Sequence, residues 1–142
     1  IDYRDKRFFV FLAKNPASFN NNLRMLLHDL FADAYPILQS SSYAVLFILN
    51  DAIPDGRDVS WIYDIDPILL RKVCSGKKVF VSGSRFLDMQ IRLFYAGVPF
   101  VATLEQLDAH SLEEIHEKEV VVFPNYSAML DFRKTLVGRS IL

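Results

Sequence analysis

Apolar residues along this chain gather into five short continuous runs, at residues 8–13, 43–49, 78–81, 98–101 and 120–123. None of them alternates polar with apolar positions. Continuous runs of this length predict strands buried on both faces, the pattern of a parallel sheet covered by helices. The segments between them carry a helical period instead. Phe19, Leu23, Leu26, Leu27, Leu30 and Phe31 recur at three- and four-residue spacing, which predicts an amphipathic helix. Asp66-Pro67 is a helix start, because the Asp can cap free amides and the Pro fits the first turn. Leu69, Leu70 and Val73 follow as its buried side, and Gly76 is its stop. A helix from about Arg85 is predicted to bury Leu87, Ile91 and Phe94 and to end near Gly97. Thr103 with Gln106, and Ser111 with Glu114, read as capping boxes, so two short helices are expected there. The last helix runs from about Ser127, with Met129, Phe132, Arg133 and Leu136 on one side and Gly138 past its end.

Strand and helix thus alternate five times. Right-handed crossovers then give an α/β fold: a doubly wound, mostly parallel five-stranded sheet with helices on both faces, filling residues 1–142 as one domain. Composition agrees with an ordered globular fold, at 51% hydrophobic and 23% charged residues. Sixteen basic residues against seventeen acidic ones leave a formal charge of -1, which supplies no electrostatic footprint for nucleic acid. No apolar stretch approaches the roughly 20 residues of a membrane span, and no signal-peptide pattern opens the chain. The single cysteine, Cys74, rules out an internal disulfide and suits a reducing compartment, so the cytoplasm is the expected location. The chain opens at Ile1 without Met and has a mean hydropathy of +0.17. Together these predict a piece of a longer protein, with apolar surface covered by another domain or subunit.

In open parallel sheets, ligands and partners gather at the carboxyl ends of the strands. There this chain places Lys14-Asn15-Pro16, residues 50–64, Ser82-Gly83-Ser84-Arg85, Thr103 and Pro124-Asn125-Tyr126-Ser127. The second loop, NDAIPDGRDVSWIYD, differs in kind. It packs Asp51, Asp55, Asp58 and Asp64 around Arg57 and the only tryptophan, Trp61. A turn needs one Asp and one Gly, as Asp55-Gly56 supplies; it does not need three further carboxylates and an indole. These carboxylates repel one another unless paired with Arg57, with a partner's cation or with a metal. The plainer alternative is a solvated acidic loop in which Asp58 caps a short helix at Val59. Other chemistries fall away. Gly83 is isolated, so no phosphate loop is present. His110 and His116 stand six apart on different helix faces, His28 stands alone, and no metal-ligand spacing appears, so no metal site is predicted. Cys74, beside Ser75-Gly76, reads as a half-buried small hydrophobe. A receiver-type phosphoacceptor domain would want an acidic pair after the first strand, where this chain has Lys14-Asn15.

At these loops the chain resembles a known family. LAKNPASFN at residues 12–20, LNDAIPDGRDVSWIYD at 49–64, SGSRFLDMQIRLFYAG at 82–97 and PNYSAMLDFR at 124–133 are similar, in order and spacing, to the C-terminal domain of MurT proteins. These are the Mur-ligase-like subunits of lipid II isoglutaminyl synthase. The DGRD-x-SWIYD element is the specific part; KNP and SGxR are weak alone. Ser18 stands where the family often has Gly, and Ile53-Pro54 are unusual ahead of Asp55. The resemblance implies a Rossmann-like domain of the Mur ligase C-terminal type. It also implies bacterial work at the inner face of the membrane, where the synthase amidates the D-glutamate of the peptidoglycan stem on lipid II. ATP and magnesium, with a structural zinc, are expected in a central domain absent from this chain, which by itself should hold no cofactor and catalyse nothing. The implied partner is a GatD-type glutaminase subunit, which hydrolyses glutamine with a Cys nucleophile and a His base.

By the same resemblance Asp58, the last residue of DGRD, is supplied across the subunit interface to that Cys–His pair as the catalytic carboxylate. Asp55 and Gly56 would shape the turn that presents it, and Arg57 could pair a carboxylate nearby or on the partner. Ser60, Trp61 and Tyr63 complete the expected interface, the two aromatic residues as anchors, with plain core packing beneath the loop as the alternative for Trp61. Lys14 and Asn15 fall where Mur ligase C-terminal domains approach nucleotide and substrate. Asn50 and Asp51 either do the same or support the loop, and Arg85 could meet an anion. Two readings from other classes remain: a self-contained magnesium-dependent phosphohydrolase built on the aspartate cluster, and a regulatory module binding a small anion through Lys14 and Arg85.

Overall fold

The computed structural model describes residues 1–28 and 43–138. Six strands form one sheet: β1 (Asp2–Tyr3), β2 (Lys6–Val10), β3 (Ala44–Ile48), β4 (Val79–Ser82), β5 (Ala102–Thr103) and β6 (Glu119–Pro124). Their order is β1-β2-β6-β3-β4-β5, and every pairing is parallel except that of β1 with β2. The continuous apolar runs have their physical reason in this order. β3 lies between β6 and β4 with all five residues buried, and Val45 stands opposite both Val79 and Val121.

Helices cover both faces. On one side α1 (Pro16–Leu27), α2 (Pro67–Cys74) and α3 (Phe86–Tyr95) bury Phe19, Leu23, Leu70, Val73, Met89 and Leu93 against Val45, Phe47 and Val121. On the other, α4 (Ala109–Leu112) and α5 (Tyr126–Val137) bury Leu112, Ala128, Phe132 and Leu136 against Phe8, Leu46 and Val122. Phe19 stacks on Phe47 and Phe123, with ring centroids 6.0 and 5.5 Å apart, and this aromatic block underlies the acidic loop.

The five parallel strands match the predicted architecture, with four local differences. The short antiparallel β1 had no apolar run to announce it; it turns back through Arg4 at φ +53°, and Arg7 Nε bonds Asp2 Oδ1 at 2.9 Å. β2 sits ahead of residues 8–13 because the chain leaves the regular ladder after Val10 while still running beside β6. There Phe11 N–H donates to the Val122 carbonyl and Ala13 N–H to that of Pro124. Residues 98–101 are no strand. Val98 is buried because it closes α3: Gly97 turns at φ +92°, its N–H meets the Phe94 carbonyl, and the Val98 N–H meets that of Leu93, a Schellman stop. Pairing with β4 starts only at Ala102. Finally, Thr103 lies in β5, and Ser111 is the third helical residue of α4, in a capping box whose N-cap is Asp108.

The face of α3 is also corrected. Leu87, Ile91 and Phe94 are exposed, while Met89, Arg92 and Leu93 are buried. Both stripes are apolar at helical spacing, so periodicity could not choose between them; the bonds of Arg92, described below, fix the rotation. α2 and α5 begin and end close to expectation, with Asp66 capping the Ile68 N–H and Gly138 at φ +72° past Val137. Leu30 and Phe31, expected on the stripe of α1, lie outside the described residues.

Candidate functional site

Parallel strands deliver their carboxyl ends to one edge, and there the loops after β3, β4 and β6 are bonded into one body. The side chain of Asn125, after β6, takes both backbone groups of Asn50: Asn50 N–H donates to Asn125 Oδ1 at 3.1 Å and Asn125 Nδ2 to the Asn50 carbonyl at 2.7 Å. Asn50 in turn accepts the Ser84 N–H at Oδ1, 2.9 Å, and donates to Asp131 at 3.3 Å. Gly83 makes the approach possible. At φ +96° it lies so close to β3 that a Cβ would stand 2.3 Å from the Leu49 carbonyl oxygen. The glycine therefore serves backbone-to-backbone packing.

From Asn50 the chain makes a 3-10 turn at Ile53–Asp55, reverses at Gly56 with φ +78°, and makes a second turn at Ser60–Asp64. Side chains from outside this segment, together with Asp55 within it, hold its course. The Asp55 carboxylate accepts the Ser127 N–H at 2.9 Å and the Ser127 hydroxyl, and so caps α5 from another part of the chain. Arg85 Nη1 donates to the Arg57 carbonyl at 3.2 Å. Arg92 donates Nε to the Ile62 carbonyl at 2.8 Å and Nη2 to that of Ile65 at 2.6 Å. Asn20, on α1, accepts the Asp66 N–H at 2.8 Å, and Ser84 Oγ accepts the Asp51 N–H at 3.1 Å.

Asp58 stands between these holds, exposed, with Oδ1 accepting the Ser60 N–H at 2.9 Å. Bonds from Ser60, first its backbone N–H and then its side chain, hold the Asp58 carboxyl below the ordinary carboxylate range, and the charge of Arg85 adds to this. Among the described residues no cation pairs with it directly. Asp51 is lowered as well, by Ser84 Oγ at 3.0 Å and then by Arg85 at 3.4 Å. The loop's neutralising cation is thus Arg85, which also bonds Asp88 at 2.7 Å. Arg57, expected in that part, is exposed and has no ionic partner among the described residues.

The remaining candidates separate. Ser60 and Tyr63 are exposed, and the Tyr63 ring lies 5.4 Å from the Arg92 guanidinium carbon. Trp61 is half-buried against the core, 6.3 Å from Phe19 between ring centroids. Lys14 is exposed, outside the bonded loops; Asn15 spends its side chain capping α1 through the Ser18 N–H at 2.8 Å. The carboxylates do not converge: Asp51, Asp55 and Asp58 turn to Ser84, Ser127 and Ser60. Among the described residues no group of three His, Cys, Asp or Glu side chains is placed to hold a metal. At the starts of α1, α2 and α5 an amide is capped from within the chain, and the space over Gly83 is filled by the Leu49 carbonyl, so none of these four places is open to a phosphate.

Sequence reasoning passed over Arg92, Asp88, Asp131 and the bonding roles of Ser84, Asn125 and Ser127. Arg92 had a signal, a lone charge beside Met89 and Leu93 on the second apolar stripe of its helix. The others are ordinary loop and helix polar residues until the topology brings their loops together.

The chain matches the family model described as MurT ligase C-terminal over residues 12–129. It is 32% identical over 126 residues to the lipid II isoglutaminyl synthase (glutamine-hydrolyzing) subunit MurT of Staphylococcus aureus strain COL, covering 87% of this chain and 26% of that protein. To the subunit of the same name from Streptococcus pneumoniae R6 it is 27% identical over 143 residues, covering 97% of this chain and 29% of the relative. The chain thus spans less than a third of the length of these curated relatives. Among the described residues no helix is long and apolar enough to cross a membrane.

Proposed function

The chain belongs to the MurT ligase C-terminal family, and from that premise we propose that it is the glutaminase-docking domain of a lipid II isoglutaminyl synthase. In this reading it lends Asp58 to the active site of a GatD-type partner in the bacterial cytoplasm. The observation that carries the proposal is the state of Asp58: an exposed, ionised carboxylate on a loop held by Asp55, Arg85 and Arg92, with no cation of its own among the described residues.

A Cys–His pair gains from a third group that accepts the imidazole Nδ1–H, fixes the tautomer and stabilises the imidazolium. The partner's imidazole takes the thiol proton, the thiolate attacks the glutamine amide carbon, and the imidazolium returns the proton to the departing ammonia. Asp58 facing that imidazole lowers the energy of the charged form throughout. A carboxylate below its ordinary range stays ionised at every pH where the imidazole is neutral at rest. Supplying it from a second chain makes glutamine hydrolysis wait on assembly, so ammonia is released only where an acceptor is at hand. The acceptor is the activated D-glutamate carboxylate of lipid II. In this reading the ATP- and magnesium-dependent step that activates it is the work of other parts of the synthase. Around Asp58, exposed Arg57, Ser60 and Tyr63 form the rim that meets the partner.

The test is Asp58→Asn in the intact two-subunit complex. Glutamine-driven amidation should fall by about 10⁴, the loss typical when the orienting carboxylate of a triad is neutralised. Ammonia-driven amidation and subunit association should persist. Glutaminase activity at the wild-type rate would sink the assignment of Asp58.

A further inference from the structure

α3 carries two arginines seven residues apart, and both reach the acidic loop through its backbone. Arg92 is buried and fastens the carbonyls of Ile62 and Ile65, beyond Asp58. Arg85, at the N-cap of the helix, fastens the carbonyl of Arg57, immediately before Asp58. Its remaining N–H groups hold Asp88 at 2.7 Å and Asp51 at 3.4 Å, and Asp51 is itself tied to Ser84 after β4. The guanidinium therefore joins helix, strand end and loop at one point. A lysine could balance the same charges, but it has no planar fork to reach a carbonyl and two carboxylates at once.

We propose that Arg85 is a positioning residue for glutamine hydrolysis: its fork fixes the backbone that carries Asp58 and so sets where that carboxylate meets the partner's imidazole. The proposal rests on the reading of Asp58 given above. The Arg85 side chain is 31% exposed, so water screens its ion pairs and their loss should cost the fold little. What it controls is geometry, and a displacement of about 1 Å in a catalytic group can lower a rate by as much as about 100-fold.

The experiment uses the intact complex with Arg85→Met, Arg85→Lys, Asp58→Asn and the double variant R85M/D58N. Expected is a fall in glutaminase kcat of about 10- to 100-fold in R85M. KM for glutamine should stay within about twofold, because glutamine is bound by the partner. R85K, with charge but no fork, should remain at least about threefold below wild type. The double variant should be no slower than D58N alone, since Arg85 acts through Asp58; a merely structural residue would add its own loss. Wild-type kcat in R85M while D58N is slow overturns the role of Arg85 and leaves that of Asp58 standing. Full recovery in R85K, or additive losses in the double variant, overturns it too. A D58N complex as fast as wild type fails the underlying reading instead, whatever R85M does.

Discussion

Asp55 belongs to the same DGRD element as Asp58, yet its surroundings predict a loss of stability when it is changed. Its carboxylate accepts the Ser127 N–H at 2.9 Å and the Ser127 hydroxyl, at the second residue of α5. Among the described residues that helix has no substitute side-chain cap. The N-cap residue Asn125 makes no side-chain cap bond because its amide is turned to Asn50. Asp55→Ala should therefore cost about 1–2 kcal/mol, the range for losing an N-cap acceptor plus its favourable charge at a helix N-terminus. For 142 residues the unfolding entropy is about 0.3 kcal/mol/K, so the melting temperature should drop by about 3–7 °C. Asp55→Asn keeps an acceptor without the charge and should lose about half as much. Circular dichroism at 222 nm at pH 7 reads the melt, with Asp64→Ala, an exposed carboxylate of the same loop, as the control that does not shift. An Asp55→Ala chain melting within about 1 °C of wild type would refute the capping argument.

Two further outcomes follow from burial. Trp61 packs on the core while Tyr63 is 51% exposed, so Trp61→Ala should cost about 3 kcal/mol of stability. Tyr63→Ala should leave the melt nearly unchanged and weaken association with the proposed glutaminase partner, measured by titration calorimetry; equal stabilities would contradict this division. On the alkaline side, burial pushes the Tyr43 hydroxyl from 10.0 up to about 12 and the Cys74 thiol from 9.0 up to about 12. Folded values above unfolded ones mean that the protein binds more protons when folded between these limits. Their contribution is thus complete below about pH 9 and is lost as the pH rises toward 12. Urea midpoints should hold to about pH 9 and fall from there to pH 11, less steeply in Cys74→Ala. A flat profile would show that neither group titrates differently on folding.

The sheet was legible because its strands are buried on both faces: the residues of β3, β4 and β6 could be apolar without interruption. Where one element has two apolar stripes, as α3 does, the period alone is ambiguous and tertiary bonding decides. Apolar residues also served purposes other than strands. Val98 closes a helix and Phe11 runs beside β6 outside the regular ladder, and both drew strand boundaries away from their places. The loop itself was visible as an excess of carboxylates. What holds it was not, because Arg85, Arg92, Asn125 and Ser127 come from residues 27 to 75 positions away from the loop groups they bond. Contacts at that separation are set by the strand order, which no local pattern encodes.

Arg85 and Arg92 fasten the loop through peptide carbonyls, and a carbonyl is the same whatever residue bears it. The fastening is therefore blind to the outward side chains of the segment it holds. Ala52, Ile53 at 83% exposure, Arg57 and Ser60 can be exchanged without touching either guanidinium. On the proposed reading, the face that would meet a glutaminase can therefore change residue by residue while the course of the backbone beneath it stays fixed.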